Sequence, residues 1–342
     1  DEQSGQIATQ TTFEVIELIK GEAADRHTIK QIGGQLKETG TTLRIQGVPR
    51  YIVGESYVIF LPEKSSLGFS SPLGLYQGSF SVSTIDGEQV VSNGRQLEQE
   101  AQTRNSSLPL AVKAGNKAQA GLGDFIDTIR TYNARSADMS KLIDKLFFCS
   151  APRYALGFAL GSALADCRSA MAGGPLILEG PGGTTPVTYQ NPAITLHVEN
   201  GTLGNLTNLE ADVLVTEAFS LWNDVDTSTI NLAIDQIQLQ TVDIDINNFD
   251  SYLPTTNYSE FNADDNLNPI VYDNNGEIID AFFGVGASDH TIGFAASIFS
   301  SGGSFFKEGY AVINGKDLNL TTTTFKLLIT HEIGHFFGLD HT

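Results

Sequence analysis

The stretch HEIGHFFGLDHT, residues 331–342, decides how the rest of this chain is interpreted. It has the spacing H-E-x-x-H-x-x-G-x-x-H, filled by His331, Glu332, His335, Gly338 and His341. At 3.6 residues per turn of an α-helix, residues four apart lie about 40° apart around the axis, so His331 and His335 share one face. Both imidazoles can then reach one ion at ~2.0–2.1 Å. The spacing therefore predicts that they bind the same metal.

The other residues of the motif have complementary roles. Gly338 can adopt a positive φ and end the helix, so that the chain turns and returns His341 as a third ligand. Three protein ligands leave a fourth position for water, which is typical of a catalytic rather than a structural zinc site. Glu332 lies about 100° around the helix from His331, too far to be an equal ligand but close enough to accept a proton from that water. The motif predicts a Zn²⁺ site with Glu332 as general base.

This motif resembles the zinc signature of the metzincin peptidases, and its ending, with Thr342 after the third histidine, resembles their matrixin branch. Upstream, residues 199–225 and 268–297 resemble the opening helix and central loops of bacterial matrixin-like peptidases. The similarity covers about residues 190–342. It implies a zincin-like (metzincin) catalytic domain and a secreted zinc endopeptidase that hydrolyses protein or peptide substrates.

The resemblance also implies where a substrate binds. Residues 291–296 (TIGFAA) would form an edge strand above the cleft. An extended peptide would pair with the free N–H and C=O groups at Gly293, Phe294, Ala295 and Ala296. The alternative is an ordinary core strand.

An oxygen-rich loop resembles the calcium loops of such families. Asp273, Asn275 and Asp280 would supply hard oxygen ligands for Ca²⁺ beside a tight turn at Gly276. Because Asn-Gly is also a common turn dipeptide, a plain turn is the alternative.

Two features depart from the metzincin pattern. The chain stops at Thr342, before any Met-turn, and its two methionines, Met139 and Met171, lie too early to supply one. We therefore expect a fragment whose catalytic domain lacks its C-terminal subdomain. Cys149 stands in FFCSAPRY, which is not a cysteine-switch pattern, so latency through a Cys–zinc bond is not expected. Cys149 and Cys167 form either a disulfide or two buried thiols.

Composition divides the chain into three parts. Residues 1–95 contain β-rich runs separated by Gly, Pro and Ser, which predicts a small all-β domain, an OB-like barrel or sandwich. Residues 96–175 are interpreted as a linker and a short helical segment, ending in a stretch that is either a helical hairpin or an activation segment. Residues 176–342 follow the order strand, helix, strands, helix, which predicts an α+β arrangement, the N-terminal subdomain of the peptidase.

Helices are the clearest elements of this last part. Apolar side chains recur at i, i+3, i+4 and i+7 over residues 208–225, which predicts an amphipathic helix with Asn208 as N-cap. The zinc helix is predicted from about Thr324, with an apolar stripe opposite the histidines. Strands are predicted at residues 193–198, 237–246, 269–272 and 290–296.

Charge and hydropathy exclude some functions. Forty Asp and Glu against 20 Lys and Arg give a net charge of −20, which does not suit binding to nucleic acid or anionic lipid. No stretch reaches the ~20 apolar residues of a membrane helix. Two further functions stay open: a non-catalytic secreted binding protein with a structural or relic zinc site, and, with less support, an inhibitor module built on the N-terminal β part.

Overall fold

The computed structural model of the chain describes residues 6–37, 39–93, 119–135, 145–150, 175–179, 185–226, 228–235, 237–253, 267–300, 305–316 and 320–340. The predicted third zinc ligand, His341, lies outside these ranges, as do Thr342, Cys167 and both methionines. Most of the proposed activation segment, residues 140–175, also lies outside them.

The described residues form an α+β structure. Its helices are α1 (Leu122–Arg135), α2 (Asn208–Asn223), α3 (Glu277–Phe283) and α4 (Thr322–Phe336). Its strands in the first half are β1 (Ala8–Lys20), β2 (Arg26–Ile32), β3 (Gly34–Gln35), β4 (Thr41–Ile45), β5 (Ser56–Leu61), β6 (Ser79–Ile85), β7 (Glu88–Ser92), β8 (Ala120–Gly121) and β9 (Lys145–Ser150). Those in the second half are β10 (Leu178–Glu179), β11 (Thr185–Pro186), β12 (Thr188–Tyr189), β13 (Ala193–Val198), β14 (Asn231–Asp235), β15 (Pro269–Asp273), β16 (Gly293–Ser300) and β17 (Phe305–Asn314).

The first large sheet has the order β2-β1-β9-β5-β6-β7-β8 and is antiparallel throughout. Strand β9 lies inside this sheet, although it comes from the stretch interpreted as a helical hairpin or an activation segment, residues 140–175. Phe147 and Cys149 face one core, while Leu146 and Phe148 face another together with α1. A helical hairpin is therefore wrong at this strand. A strand buried on both faces has no apolar–polar alternation by which to recognise it.

The second sheet has the order β14-β13-β15-β17-β16-β4-β3, with β12 also pairing with β17. Strands β13, β14, β15 and β17 are parallel, whereas β16 is antiparallel to both of its neighbours, β17 and β4. Helices α2 and α4 pack in one apolar cluster with this sheet, and α3 packs in another. Since β3 and β4 come from the first 95 residues, the predicted boundary at residue 95 does not separate the two sheets.

Helix α2 confirms the predicted amphipathic helix, with its start shifted by one residue. A capping box joins Thr207 to Glu210, so Thr207 is the N-cap rather than Asn208. The Asn208 amide instead donates to the carbonyl oxygens of Glu199 (2.7 Å) and Gly201 (3.0 Å). Near the other end of α2, the Trp222 indole N–H donates to the carbonyl of Thr330 at 2.9 Å. These contacts fix α2 against both the sheet and α4.

The predicted strand at residues 237–246 is wrong. The strand in this region is β14, and it ends at Asp235, whose carboxylate accepts the backbone N–H groups of Ile237 (2.6 Å) and Gln238 (3.1 Å). This local side-chain bonding gives the backbone an alternative to a sheet ladder, and a turn results.

Glu199, just after β13, is a fully buried carboxyl. It accepts the N–H groups of Gly201 (2.7 Å), Tyr272 (2.8 Å) and Ile244 (3.1 Å). Burial nevertheless raises its pKa to about 7. In the unfolded chain the pKa of a glutamate is about 4.3, so between these values the folded state binds more protons than the unfolded state.

We therefore expect Glu199 to make the free energy of unfolding fall as the pH rises from about 4.5 to about 7, by roughly 3 kcal/mol. Urea unfolding of the parent and of Glu199→Gln at pH 4.5, 6 and 7.5 measures this. The difference in unfolding free energy between parent and variant isolates the contribution of Glu199 from the other acidic groups. A difference that stays constant over this pH range would contradict the prediction.

Candidate zinc site

Helix α4 carries the histidine motif and buries one of its faces in the apolar core. The predicted apolar stripe is confirmed, since its members are buried in the cluster that joins α4 to α2 and the second sheet: Phe325, Ile329, Ile333 and Phe336. The helix begins after Thr321, whose hydroxyl accepts the N–H of Thr324 at 3.2 Å. This start is slightly earlier than the predicted one, at about Thr324. Because the apolar stripe is buried, the face that carries the histidines points away from this core.

His331 and His335 point at each other from this opposite face. Their Nε2 atoms are 2.9 Å apart, and their rings are nearly perpendicular, at 81°. Two ligands at ~2.0–2.1 Å from one tetrahedral Zn²⁺ have nitrogens about 3.3 Å apart, so the pair fits a shared ion after a shift of a few tenths of an ångström. The helix thus brings together the two imidazoles that the sequence spacing singles out.

The local environment favours the ligand form of His335. Its Nδ1 lies 2.8 Å from the carbonyl oxygen of Leu339, which fits an N–H donated to that oxygen and leaves Nε2 with its lone pair. Burial lowers the pKa of His335 below its usual value, while the contacts with Leu339 and Asp340 act in the opposite direction. A neutral imidazole with a free Nε2 lone pair is the form that binds zinc.

Glu332 is buried between α4 and β16. A Cβ atom placed on Gly293 would lie only 3.2 Å from Glu332 Cγ, so the side chain passes directly beside the start of β16. Within the described part of the chain, Glu332 Oε2 has no hydrogen-bond partner. Burial raises the pKa of Glu332 to about 8. A buried carboxyl oxygen without a partner, on the residue that follows His331, fits a site that receives a polar ligand.

Gly338 makes the turn that the motif requires. Its φ is +89°, and its N–H donates to the carbonyl of His335 at 2.9 Å. The Phe306 ring leaves no space for a side chain here, because a Cβ atom on Gly338 would lie 2.5 Å from it. The described chain ends at Asp340, so the placement of His341 as a third ligand stays a prediction. Among the described residues, no group of three His, Cys, Asp or Glu could hold a metal ion.

The predicted open substrate edge is covered on its second side only from Ala295 onward. Gly293 and Phe294 pair with β17, and from Ala296 onward β16 also pairs with β4. The carbonyl of Ala295 accepts the N–H of Gln46 at 3.1 Å. The prediction of an edge strand is therefore wrong from Ala295 onward, because a segment about 250 residues earlier in the chain covers it there. At Gly293 and Phe294 the substrate edge stays a prediction. The β-branched run TTLRI, residues 41–45, is the only local sign of that partner.

The side-chain oxygens of the predicted calcium residues accept hydrogen bonds from backbone N–H groups. Both carboxylate oxygens of Asp273 accept N–H groups at the start of α3, from Ile278 (3.2 Å) and Ile279 (2.9 Å). Asp280 accepts the N–H of Ser288 at 2.7 Å, and Asn275 that of Glu277 at 3.3 Å. Burial raises the pKa of Asp273 to about 6. The described geometry gives no support to a Ca²⁺ site, since these oxygens cap turns and a helix instead of converging.

Cys149 lies in the core of the first sheet, far along the chain from the zinc motif. Its thiol is fully buried and donates to the carbonyl of Tyr57 at 3.5 Å, and burial raises its pKa. A protonated, buried thiol is a poor nucleophile and metal ligand. Whether Cys149 pairs with Cys167 lies outside the described residues.

Comparison with known proteins adds an independent observation on the same region. Residues 215–342 match the model of a family described as metallo-peptidase family M12B, reprolysin-like. No curated protein and no solved structure matches the chain. Over the described ranges, the helices are too short or too polar to cross a membrane.

The matched stretch contains α4 and the whole histidine motif, and the α+β arrangement around it fits a metallopeptidase catalytic domain. The sequence, the fold and the family match together support a metzincin-type zinc metallopeptidase, which uses Zn²⁺ and acts on protein or peptide substrates.

Proposed function

We propose that this protein is a secreted zinc endopeptidase in which His331, His335 and His341 bind the metal and Glu332 acts as general base. One observation carries the proposal. Helix α4 brings the Nε2 atoms of His331 and His335 together. The same helix buries the carboxyl of Glu332, whose Oε2 has no hydrogen-bond partner among the described residues. A structural zinc site needs the imidazoles but gives no role to such a carboxyl.

Each side chain has a definable task in peptide hydrolysis. When bound, Zn²⁺ supplies a Lewis acid that polarises the scissile carbonyl and makes water more acidic. His335 is held in orientation by the carbonyl of Leu339. Glu332 Oε2 accepts the proton of the attacking water and passes it to the leaving amine. Because Glu332 lies beside Gly293, the scissile bond belongs between α4 and the start of β16.

The proposal also assigns the protein to a branch of the metzincins and to a location outside the cell. Thr342 after the third histidine favours the matrixin branch, whereas the matching family model is that of the reprolysin-like branch. The resemblance to bacterial matrixin-like peptidases supports secretion. Finding the protein in the culture medium of its source, rather than in washed cells, would bear secretion out. Its retention inside the cells would contradict it.

A metal-dependence assay tests the function. We expect about one zinc per chain, cleavage of quenched fluorescent peptides, loss of cleavage with 1,10-phenanthroline, and recovery when zinc is restored. The matched control is the double variant His331→Ala/His335→Ala, which should lose zinc and cleavage together. A zinc-loaded protein that cleaves no peptide would favour the non-catalytic binding protein.

A further inference from the structure

Two short segments, residues 175–179 and 185–189, form a pair through the antiparallel strands β10 and β11. The N–H of Val187 also donates to the carbonyl of Ile177 at 3.0 Å, which extends the contact beyond these strands. Both segments precede residues 215–342, the stretch that matches the family model. This segment pair therefore lies outside the family match.

The first segment bonds to the turn that ends the zinc helix. The N–H of Leu176 donates to the carbonyl of Gly338 at 2.6 Å. Its neighbour Pro175 forms an antiparallel bridge with Leu339. Leu339 is the residue whose carbonyl oxygen lies 2.8 Å from Nδ1 of His335. The segment thus holds the residue that orients one of the two described zinc histidines.

The second segment anchors the pair on the second sheet and on the zinc helix. Strand β12 pairs in parallel with the start of β17. The Tyr189 ring stacks on Phe336, with ring centroids 5.2 Å apart. Val187 is 1% exposed and packs with Phe306, the ring that lies against Gly338. These contacts make the segment pair a fixed support for the turn.

The support acts on a single peptide group. The carbonyl of Gly338 and the N–H of Leu339 belong to the same planar peptide unit. Helix α4 holds one end of this unit, since the N–H of Leu339 donates to the carbonyl of Gly334 at 3.1 Å. Leu176 holds the other end. With both ends held, the carbonyl of Leu339 keeps its direction towards His335 unless the φ and ψ of Leu339 change.

We infer that the segment pair positions the zinc site from outside the histidine motif, by holding the carbonyl of Leu339 where it orients His335. Leu176, through its backbone N–H, and Val187, through its packing, are the positioning residues. Such a partner fixes the tautomer and the ring orientation of a zinc-binding histidine, and losing it typically weakens metal affinity 10–100-fold. The inference rests on the zinc site of the proposed function.

An ester in place of the backbone amide of Leu176 tests the hydrogen bond. Incorporating the α-hydroxy analogue of leucine removes the N–H and keeps the side chain. We expect the dissociation constant for zinc, measured by competition with a chromophoric chelator, to rise about tenfold.

The same ester at Leu73 is the matched control. Leu73 also follows a proline, and its N–H donates to the carbonyl of Phe60 at 3.0 Å beside the core of the first sheet. It loses an equivalent hydrogen bond, so its urea midpoint should fall as that of the Leu176 ester does. Its zinc affinity should equal that of the parent.

A spectroscopic signature separates positioning from a general loss of stability. In the zinc-free protein with ¹⁵N-labelled histidine, two-bond ¹H–¹⁵N correlations at alkaline pH show which ring nitrogen carries the proton. The signals of His335 are assigned by their loss in His335→Gln. The parent and the Leu73 ester should carry the proton on Nδ1, whereas the Leu176 ester should show both tautomers.

The variant Val187→Ala tests the packing of the second segment. It removes contacts with the Phe306 ring, so the segment pair should support the turn less firmly, and the dissociation constant for zinc should rise. The matched control is Val91→Ala, which truncates a valine that is 2% exposed in the first sheet. This control should keep the zinc affinity of the parent.

The outcomes separate the inference from the function on which it rests. A Leu176 ester with the zinc affinity and the His335 tautomer of the parent would overturn the inference, whether or not peptides are cleaved. Equal weakening of zinc binding by the two esters would also overturn it. Weakening by the Leu176 ester alone would support it even without cleavage, and only the endopeptidase function would then fall. A parent protein that binds no zinc would overturn both.

Discussion

The variant Glu332→Gln is expected to lower kcat for peptide hydrolysis by about 10³-fold while the zinc content stays at the parent level, since a general base typically contributes 10²–10⁴-fold. The amide has the shape of the carboxyl but cannot accept the proton of the attacking water. The metal is held by the histidines, so it should remain bound. Zinc analysis, with kcat and KM measured on one fluorescent peptide, tests both parts of this expectation.

Stability separates this effect from unfolding. Glu332 is buried and its pKa is raised, so replacing it with an uncharged amide should not lower the free energy of unfolding. The control is Glu277→Gln, which neutralises an exposed carboxylate at the start of α3. It should leave both activity and zinc content unchanged. Cleavage by Glu332→Gln at the parent rate would show that another group accepts the proton.

The variant Gly338→Ala is expected to lower the free energy of unfolding by about 2–5 kcal/mol and to weaken zinc binding at least about tenfold. A left-handed conformation costs a residue with a Cβ about 1–2 kcal/mol. The overlap with the Phe306 ring adds about 1–3 kcal/mol. Zinc binding should weaken because a displaced turn moves the chain that leads to His341. Urea unfolding and a zinc competition titration measure the two effects.

Gly87 supplies the matched control for this substitution. Its φ is +84°, close to that of Gly338, and a Cβ atom there would meet nothing within 4 Å. Gly87→Ala should therefore cost only the conformational part, about 1–2 kcal/mol, and leave zinc affinity unchanged. Equal destabilisation by the two substitutions would mean that the Phe306 contact relaxes without cost.

Local patterns were sufficient for the two long helices of the C-terminal half. Helix α2 was predicted from its 3.6-residue periodicity, and α4 from the histidine spacing with its apolar stripe, because these signals lie within one element. Caps were misplaced slightly, since Asn208 and Thr207 are both good capping residues and only tertiary contacts decide between them. The Gly338 turn was predictable because the motif places glycine where positive φ is needed.

Long-range pairing was not predictable in the same way. The cover on β16 comes from Thr41–Ile45, and no local periodicity relates segments so far apart. Strand β9 could not be predicted from apolar–polar alternation because it is buried on both faces. The oxygen-rich loop had the composition of a cation site, but Asp273 bonds backbone N–H groups of its own helix start. Composition alone cannot distinguish these two uses of a carboxylate.

The distance in sequence between β4 and β16 has a consequence for how the molecule is made. Ile45 pairs with Ala296, so 251 residues (296 − 45) separate the partners. During synthesis, β4 leaves the ribosome long before β16 is made. Until then, the apolar side chains of Leu43 and Ile45 cannot be buried against β16. Closing such a large loop slows folding, and an unpaired strand invites aggregation in the interval. Completion of the second sheet should therefore be a late event in folding, and one that benefits from a chaperone.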